Sequence, residues 1–230
     1  MANQTLKLYG LCKQEIESQI EALEFDKKQV KTYVKEKYKD AFLFVECKGS
    51  EEAFQSALSV MVRQFSEYIY AHRDISLYER LFEVIQTRNK TICLAEQGTG
   101  GIVTQNLLMF ENAEKYVKAS YILPSIKQMI DHFDLNPFKF TVNHGVCPEI
   151  AFDIASHIRS RIPADLYVVS LSTLAEGNNL YYNKDVMAFV AIGTSSGVNI
   201  LKIAYDGGTK RDFMNQVAKT ICFKLINILK

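Results

Sequence analysis

Neither sign of charge is in excess in this sequence: 27 Lys and Arg against 26 Asp and Glu leave a formal net charge of +1 over 230 residues. Tight binding to a polyanion ordinarily draws on a basic surplus, so the totals give no electrostatic ground for a nucleic-acid partner. Long apolar runs are lacking as well. Stretches such as Val186 to Ile192 are far too short to cross a bilayer, and no membrane association is expected. The opening MANQTLKLYG has neither the basic stretch nor the apolar core of a secretory signal. No CxxC pair occurs among the five cysteines, Cys12, Cys47, Cys93, Cys147 and Cys222. Their odd number and wide spacing exclude a disulfide framework and a zinc site of ordinary pattern, and fit a reducing compartment. The expectation is a cytoplasmic chain with no metal and no cofactor. Repeats and low-complexity tracts are absent too.

What is present is ordinary globular composition, 48% hydrophobic and 23% charged, enough for one large or two modest domains. The first third alternates short strand-like and helical segments. Ile16, Ile20 and Leu23 recur at helical spacing, and Ala41 to Cys47 reads as a strand. Ser50 followed by Glu51 and Glu52 predicts an N-capped helix, whose apolar face carries Phe54, Leu58, Met61, Val62 and Phe65. A break near Ala71 to Asp74 closes this module, which predicts domains at 1–74 and 75–230. Beyond it, Ile75 to Gln86 reads as a helix and Thr91 to Leu94 as a buried strand. That strand runs into Ala95-Glu96-Gln97-Gly98-Thr99-Gly100-Gly101 and then an apolar helix through Leu108. A strand, a glycine-rich turn and a helix can grip an anion. Further strands are expected at Tyr116 to Leu123, Leu166 to Leu171, Met187 to Ile192 and Val198 to Ile203, the last two as a hairpin. Pro124 and Pro148 read as first-turn residues of helices, and a last helix is expected from about Lys210 to Leu229. Mixed parallel and hairpin connections predict a three-layer α/β/α domain after the small α/β module.

Residues 95–101 resemble the Ala-Glu-Ser-Cys-Thr-Gly-Gly signature of the CinA competence/damage-inducible family, matching at Ala95, Glu96, Thr99, Gly100 and Gly101. The likeness continues in the family's order. His144-Gly145-Val146-Cys147-Pro148-Glu149, Ser170-Leu171-Ser172 and the stretch from Gly208 with Arg211 and Asp212 all have counterparts. It covers roughly residues 76 to 230, and the preceding module is similar to the family's KH-like domain. The molybdopterin-binding-like domain of longer members has no counterpart in this sequence. The resemblance implies a domain related to nicotinamide mononucleotide deamidases, a pyridine nucleotide or other phosphate-bearing ligand, and a homo-oligomer.

The departures fall on the catalytic positions. Gln97 and Gly98 stand where the signature has serine and cysteine. Glu114 aligns with the family's nucleophilic serine and Pro124 with its tyrosine, leaving Lys127 for its lysine and Ser125 as a substitute nucleophile. A glutamate would have to form a mixed anhydride, so it replaces serine poorly in acyl transfer. The expectation is a pseudoenzyme keeping a phosphate-binding turn (Glu96, Gln97, Gly98, Thr99, Gly100, Gly101), with Lys210 or Arg211 meeting the phosphate. The alternative is a divergent amidohydrolase with relocated residues Lys127, Glu114 and Ser125. His144 reads as a structural histidine. RNA binding is disfavoured, because neither Gly10 nor Gly49 forms a GxxG loop and the lysines at 27 to 39 read as a solvated face.

Overall fold

The computed structural model describes residues 2–142, 146–176 and 186–230. The chain divides into two compact units, Met1–Arg80 and Leu81–Lys230.

The first unit is built as β1 (Ala2–Tyr9), α1 (Lys13–Ala22), β2 (Val30–Lys37), β3 (Asp40–Cys47), α2 (Glu51–Gln64) and β4 (Ile69–Ala71). The strands form one antiparallel sheet in the order β2-β3-β1-β4, the split βαβ arrangement. The β3 sequence DAFLFVEC alternates strictly between half-buried and buried residues, so one face of the sheet packs and the other does not. Leu6, Leu8, Leu43 and Val45 on the packed face meet Ile16 and Ile20 of α1 and Phe54, Ala57 and Met61 of α2. Ser50 caps α2 as its sequence predicts, its side chain accepting from the Ala53 N–H at 3.2 Å. The lysine-bearing stretch Val30–Lys37 is β2, and the chain reverses at Tyr38 and Lys39, both at positive φ (57° and 58°). Two consecutive left-handed residues make a hairpin whose twist matches the strands.

The boundary of the second unit falls inside α3 (Leu77–Thr87). There follow β5 (Ile92–Glu96), α4 (Ile102–Leu108), a 3-10 turn at Ala113–Lys115, β6 (Val117–Tyr121), α5 (Ile126–Phe133), α6 (Pro137–Val142), α7 (Pro148–Arg161), β7 (Leu166–Ser172), a second 3-10 turn, β8 (Met187–Thr194), β9 (Gly197–Ala204) and α8 (Lys210–Leu229). The sheet order is β6-β5-β7-β8-β9, with β5 parallel to β6 and β7 and the rest antiparallel. Every residue of β7 is buried, as expected of a parallel strand covered on both faces. On one face Cys93, Val169, Leu171 and Ala191 pack with Met129 and Phe133 of α5 and Ile150, Ile154 and Ile158 of α7. The alternating residues Ile92, Leu94, Val168 and Val190 are equally buried. α4 and α8 pack on each other, completing three layers. Pro124 does not open a helix: Ser125 is the cap of α5, its Oγ accepting from the Gln128 N–H at 3.2 Å. The short α6 is an element the hydrophobic pattern does not announce. His144 and Gly145 lie outside the described residues.

Candidate functional site

The parallel strands β5, β6 and β7 end together, and in open α/β sheets ligands lie outside those carboxyl ends. A cleft of about 240 Å³ opens there. Its lining comes from Glu96, Gln97, Gly98 and Gly100 after β5, Ile122 and Pro124 after β6, Ser172 and Leu174 at the end of β7, and Lys210 and Met214 of α8.

Glu96 is 1% exposed and its carboxylate is saturated. Oε2 accepts from the Thr99 hydroxyl at 2.5 Å and the Val103 N–H at 3.0 Å. Oε1 accepts from the Thr104 N–H at 2.7 Å and the Thr104 hydroxyl at 2.5 Å. Two more hydroxyls complete the chain, Ser170 against Thr99 at 2.9 Å and Ser120 against Thr104 at 2.6 Å. Because Thr99 and Thr104 spend their hydrogens on the carboxylate, Ser170 and Ser120 donate to them. The orphan N–H groups of the α4 first turn are therefore met by the chain's own anion. Of the N–H groups that the phosphate grip expected at Thr99-Gly100-Gly101 would draw on, those of Val103 and Thr104 are engaged by Glu96.

Gln97 and Gly98 work as a pair. The Gln97 side chain accepts from the Ser172 N–H at 2.7 Å and donates to the Ser172 carbonyl at 3.2 Å, copying a sheet ladder beyond the end of β5. The backbone N–H groups of Gln97 and Gly98 both reach the Ser170 carbonyl, at 2.9 and 2.7 Å. A Cβ on Gly98 would stand 2.9 Å from the Leu171 carbonyl carbon, closer than real side chains approach a backbone, so the glycine lets the turn lie against β7. Gly101 sits at φ 89° and opens α4.

The proposed catalytic set does not assemble in the cleft. Glu114 lies in the turn before β6 and is exposed. Since Ile92 pairs with Val117 and Ala95 with Tyr121, Glu114 stands at the opposite end of the strands from the cleft, about 15 Å away at the usual rise of a strand. Ser125 is an exposed helix cap and Lys127 an exposed first-turn residue of α5; neither lines the cleft. Of the two cations at the start of α8, Lys210 lines it and Arg211 does not. Ser120 and Thr104 carry no sequence signal. Glu96 and Thr99 stand in the signature and Ser170 and Ser172 in a matched stretch, but the joining of Ser120, Thr104, Glu96, Thr99 and Ser170 in one hydrogen-bonded chain is set only when the sheet forms.

A larger cavity of about 330 Å³ opens elsewhere, beside Lys90, Arg159, Asp165 and Tyr167. Burial pushes the Asp165 carboxyl upward, but Lys90 and Thr91 outweigh it and hold it below the usual range. Its bonds to Lys90 (3.0 Å) and to the Thr91 N–H and hydroxyl (2.8 and 2.9 Å) fasten the start of β7 to β5. That cavity is a seam of the scaffold, away from the carboxyl ends. Among the described residues no cluster of His, Cys, Asp and Glu could hold a metal ion, and no helix is long and apolar enough to cross a membrane.

The residues that form the cleft and the five-stranded sheet fall within a known family: the model of the CinA C-terminal domain matches residues 74–229. The chain belongs to the CinA family. A CinA-like protein of Prochlorococcus marinus is 21% identical over 182 residues, 78% of this chain and 43% of that protein. A relative in Halothermothrix orenii, of the competence-damage inducible group, is 29% identical over 119 residues, 52% of this chain and 29% of the relative. The chain thus spans less than half the length of these curated relatives. Among solved structures, a competence or damage-inducible protein from Enterobacter asburiae superposes with TM-score 0.60 at 14% identity, over 68% of this chain and all of that one. The competence/damage inducible protein CihA from Agrobacterium tumefaciens gives TM-score 0.57 at 16% identity, over 66% of this chain and 93% of that one. At such identities the superpositions establish the CinA α/β fold alone.

Proposed function

We propose that this CinA-family chain no longer hydrolyses amides, and that its cleft holds a small anion-bearing molecule, a pyridine nucleotide on the family resemblance. The observation that carries the reading is the pairing of Gln97 with Ser172. The position where the family signature has serine is spent on extending the sheet, and the neighbouring cysteine position is a glycine pressed against β7. Covalent amide hydrolysis needs a nucleophile beside a base and donors for the oxyanion. Glu114, before β6, and Ser125 and Lys127, together at the start of α5, all stand outside the cleft lining, which supports lost turnover. Lys210, exposed at the mouth, supplies the positive charge that a phosphate would meet.

The test is incubation of the protein with nicotinamide mononucleotide, with ammonia release and product mass followed alongside thermal unfolding. The reading expects no ammonia and an upward thermal shift that Lys210→Ala removes. Ammonia release at a rate proportional to protein overturns the pseudoenzyme reading. A shift that Lys210→Ala leaves unchanged overturns the assignment of the cleft.

A further inference from the structure

The open face of the first sheet carries an arrangement that its helix-covered face does not need. Outward positions of neighbouring strands fall in register: Thr5–Phe44–Tyr33 in one row and Lys7–Phe42–Lys35 in the next. Phe42 and Phe44 lie outside the buried core of this unit. Their rings are within 6° of parallel with centroids 6.2 Å apart, and Tyr33 is 52% exposed. Lys31, Lys35 and Lys37 are exposed on the same side of β2, with the Lys35 ammonium 5.4 Å from the Tyr33 ring centre. Lys7 is drawn to Asp40 and Asp74, 3.7 Å from each, with its ammonium 5.9 Å from the Phe42 ring centre, where a stacking base would displace it. Glu46 and Asp40 stand opposite Lys31 and Lys37, and Phe42 opposite Lys35.

A four-stranded sheet of this connectivity, with aromatic side chains standing on a central strand, is the platform on which RNA-recognition domains stack unpaired bases. The β3 run Phe42-Leu43-Phe44-Val45 shares the two outward aromatics and the valine of their strand motif and departs from it at Asp40, Ala41, Leu43 and Cys47. Aromatic faces accept any base, and a bordering row of lysines follows the phosphates. We propose that this face binds single-stranded nucleic acid, with bases stacking on Phe42, Phe44 and Tyr33 and the phosphates running along Lys31, Lys35 and Lys37. The overall charge balance hides this local row, and a GxxG loop is the wrong feature to seek on a β-platform. The inference concerns the first unit and stands independently of the cleft.

Fluorescence anisotropy of the full chain with a labelled short oligouridylate, its oligothymidylate counterpart and a duplex tests it. Saturable binding is expected for a single strand in preference to the duplex, weakening with salt. Phe42→Leu with Phe44→Leu, which keeps apolar volume but removes the rings, should weaken it about tenfold or more. Tyr33→Ala, at an exposed site, should weaken it several-fold without moving the thermal midpoint. Lys35→Ala should lower the salt dependence by about 0.7 in logarithmic slope. A preference between the two single strands identifies the sugar and supports the proposal either way. Absence of saturable binding, or binding that the double variant and Tyr33→Ala leave intact, overturns it. So does sedimentation showing that this face joins two copies of the chain while no oligonucleotide competes.

Discussion

β3 and β7 are each the second strand in from a sheet edge or deeper, yet they are different physical objects. β3 alternates residue by residue, buried at Ala41, Leu43, Val45 and Cys47 and half-buried between. β7 is buried along its whole length, serines included. Helices cover one face of the first sheet and both faces of the second. A ligand can therefore reach the first sheet on its flat face, where side chains are plentiful and backbone is paired. It can reach the second only at the strand ends, where turns and helix starts dominate. The same difference explains why the first unit offers aromatic rings and lysines while the second offers a narrow cleft closed by a carboxylate.

The most damaging way to break the comparison is at the end of β5. Glu96→Ala strands two N–H groups and the hydroxyls of Thr99 and Thr104 in a buried chain, and should cost on the order of 4 kcal/mol, read by urea unfolding. A loss under about 1 kcal/mol would mean that water replaces the carboxylate and that the turn is not organised around it. Next come adjacent pairs of truncations. Leu43→Ala should cost about 3 kcal/mol and Phe44→Ala about 1, whereas Val168→Ala and Val169→Ala should both cost about 2. Equal losses at 43 and 44 would show that the outer face of β3 is covered. Gly98→Ala drives a methyl group into the Leu171 backbone and should cost about 1 to 3 kcal/mol. Gly197→Ala meets nothing within 4 Å and should cost less, from its φ of 148° alone.

The smallest effect is a pH dependence. His157 packs edge-on against Phe133, ring centres 5.6 Å apart, and its buried Nε2 has no hydrogen-bond partner among the described residues. Desolvation, with help from Arg161 and His132, holds its pKa below the ordinary 6.5, against the pull of Asp134. The unfolded chain then takes up the proton first, so the stability from this group is complete above about 6.5 and is lost as the pH falls toward the folded value. His157→Phe should flatten that part of a stability–pH profile. An unchanged slope would assign it to the carboxylates.

Elements with a strong local rule were legible. Ser50 ahead of two glutamates capped α2, the final helix runs over Lys210–Leu229, and the hairpin of β8 and β9 turns where its glycine and serines stand. Pro124 misled because its ring suits a helix start, while Ser125 beside it holds the capping hydroxyl. The reading of Glu114 rested on alignment to a motif, which takes no account of which end of a parallel strand a turn precedes.

The sequence by itself determined the two periodicities, the strand–turn–helix at residues 92–108 and the CinA likeness, since each rests on neighbours within a few turns of chain. Tertiary structure alone decided what the key residues do. Ser120, Thr104, Glu96, Thr99 and Ser170 become one hydrogen-bonded chain only when β6, β5 and β7 lie side by side. Gln97 and Gly98 acquire their roles from the backbone of β7, some seventy residues away. Tyr33 and Lys35 meet Phe44 and Phe42 through the register of a hairpin. Hydrogen bonds and stacking act over a few ångströms, and only folding sets those distances.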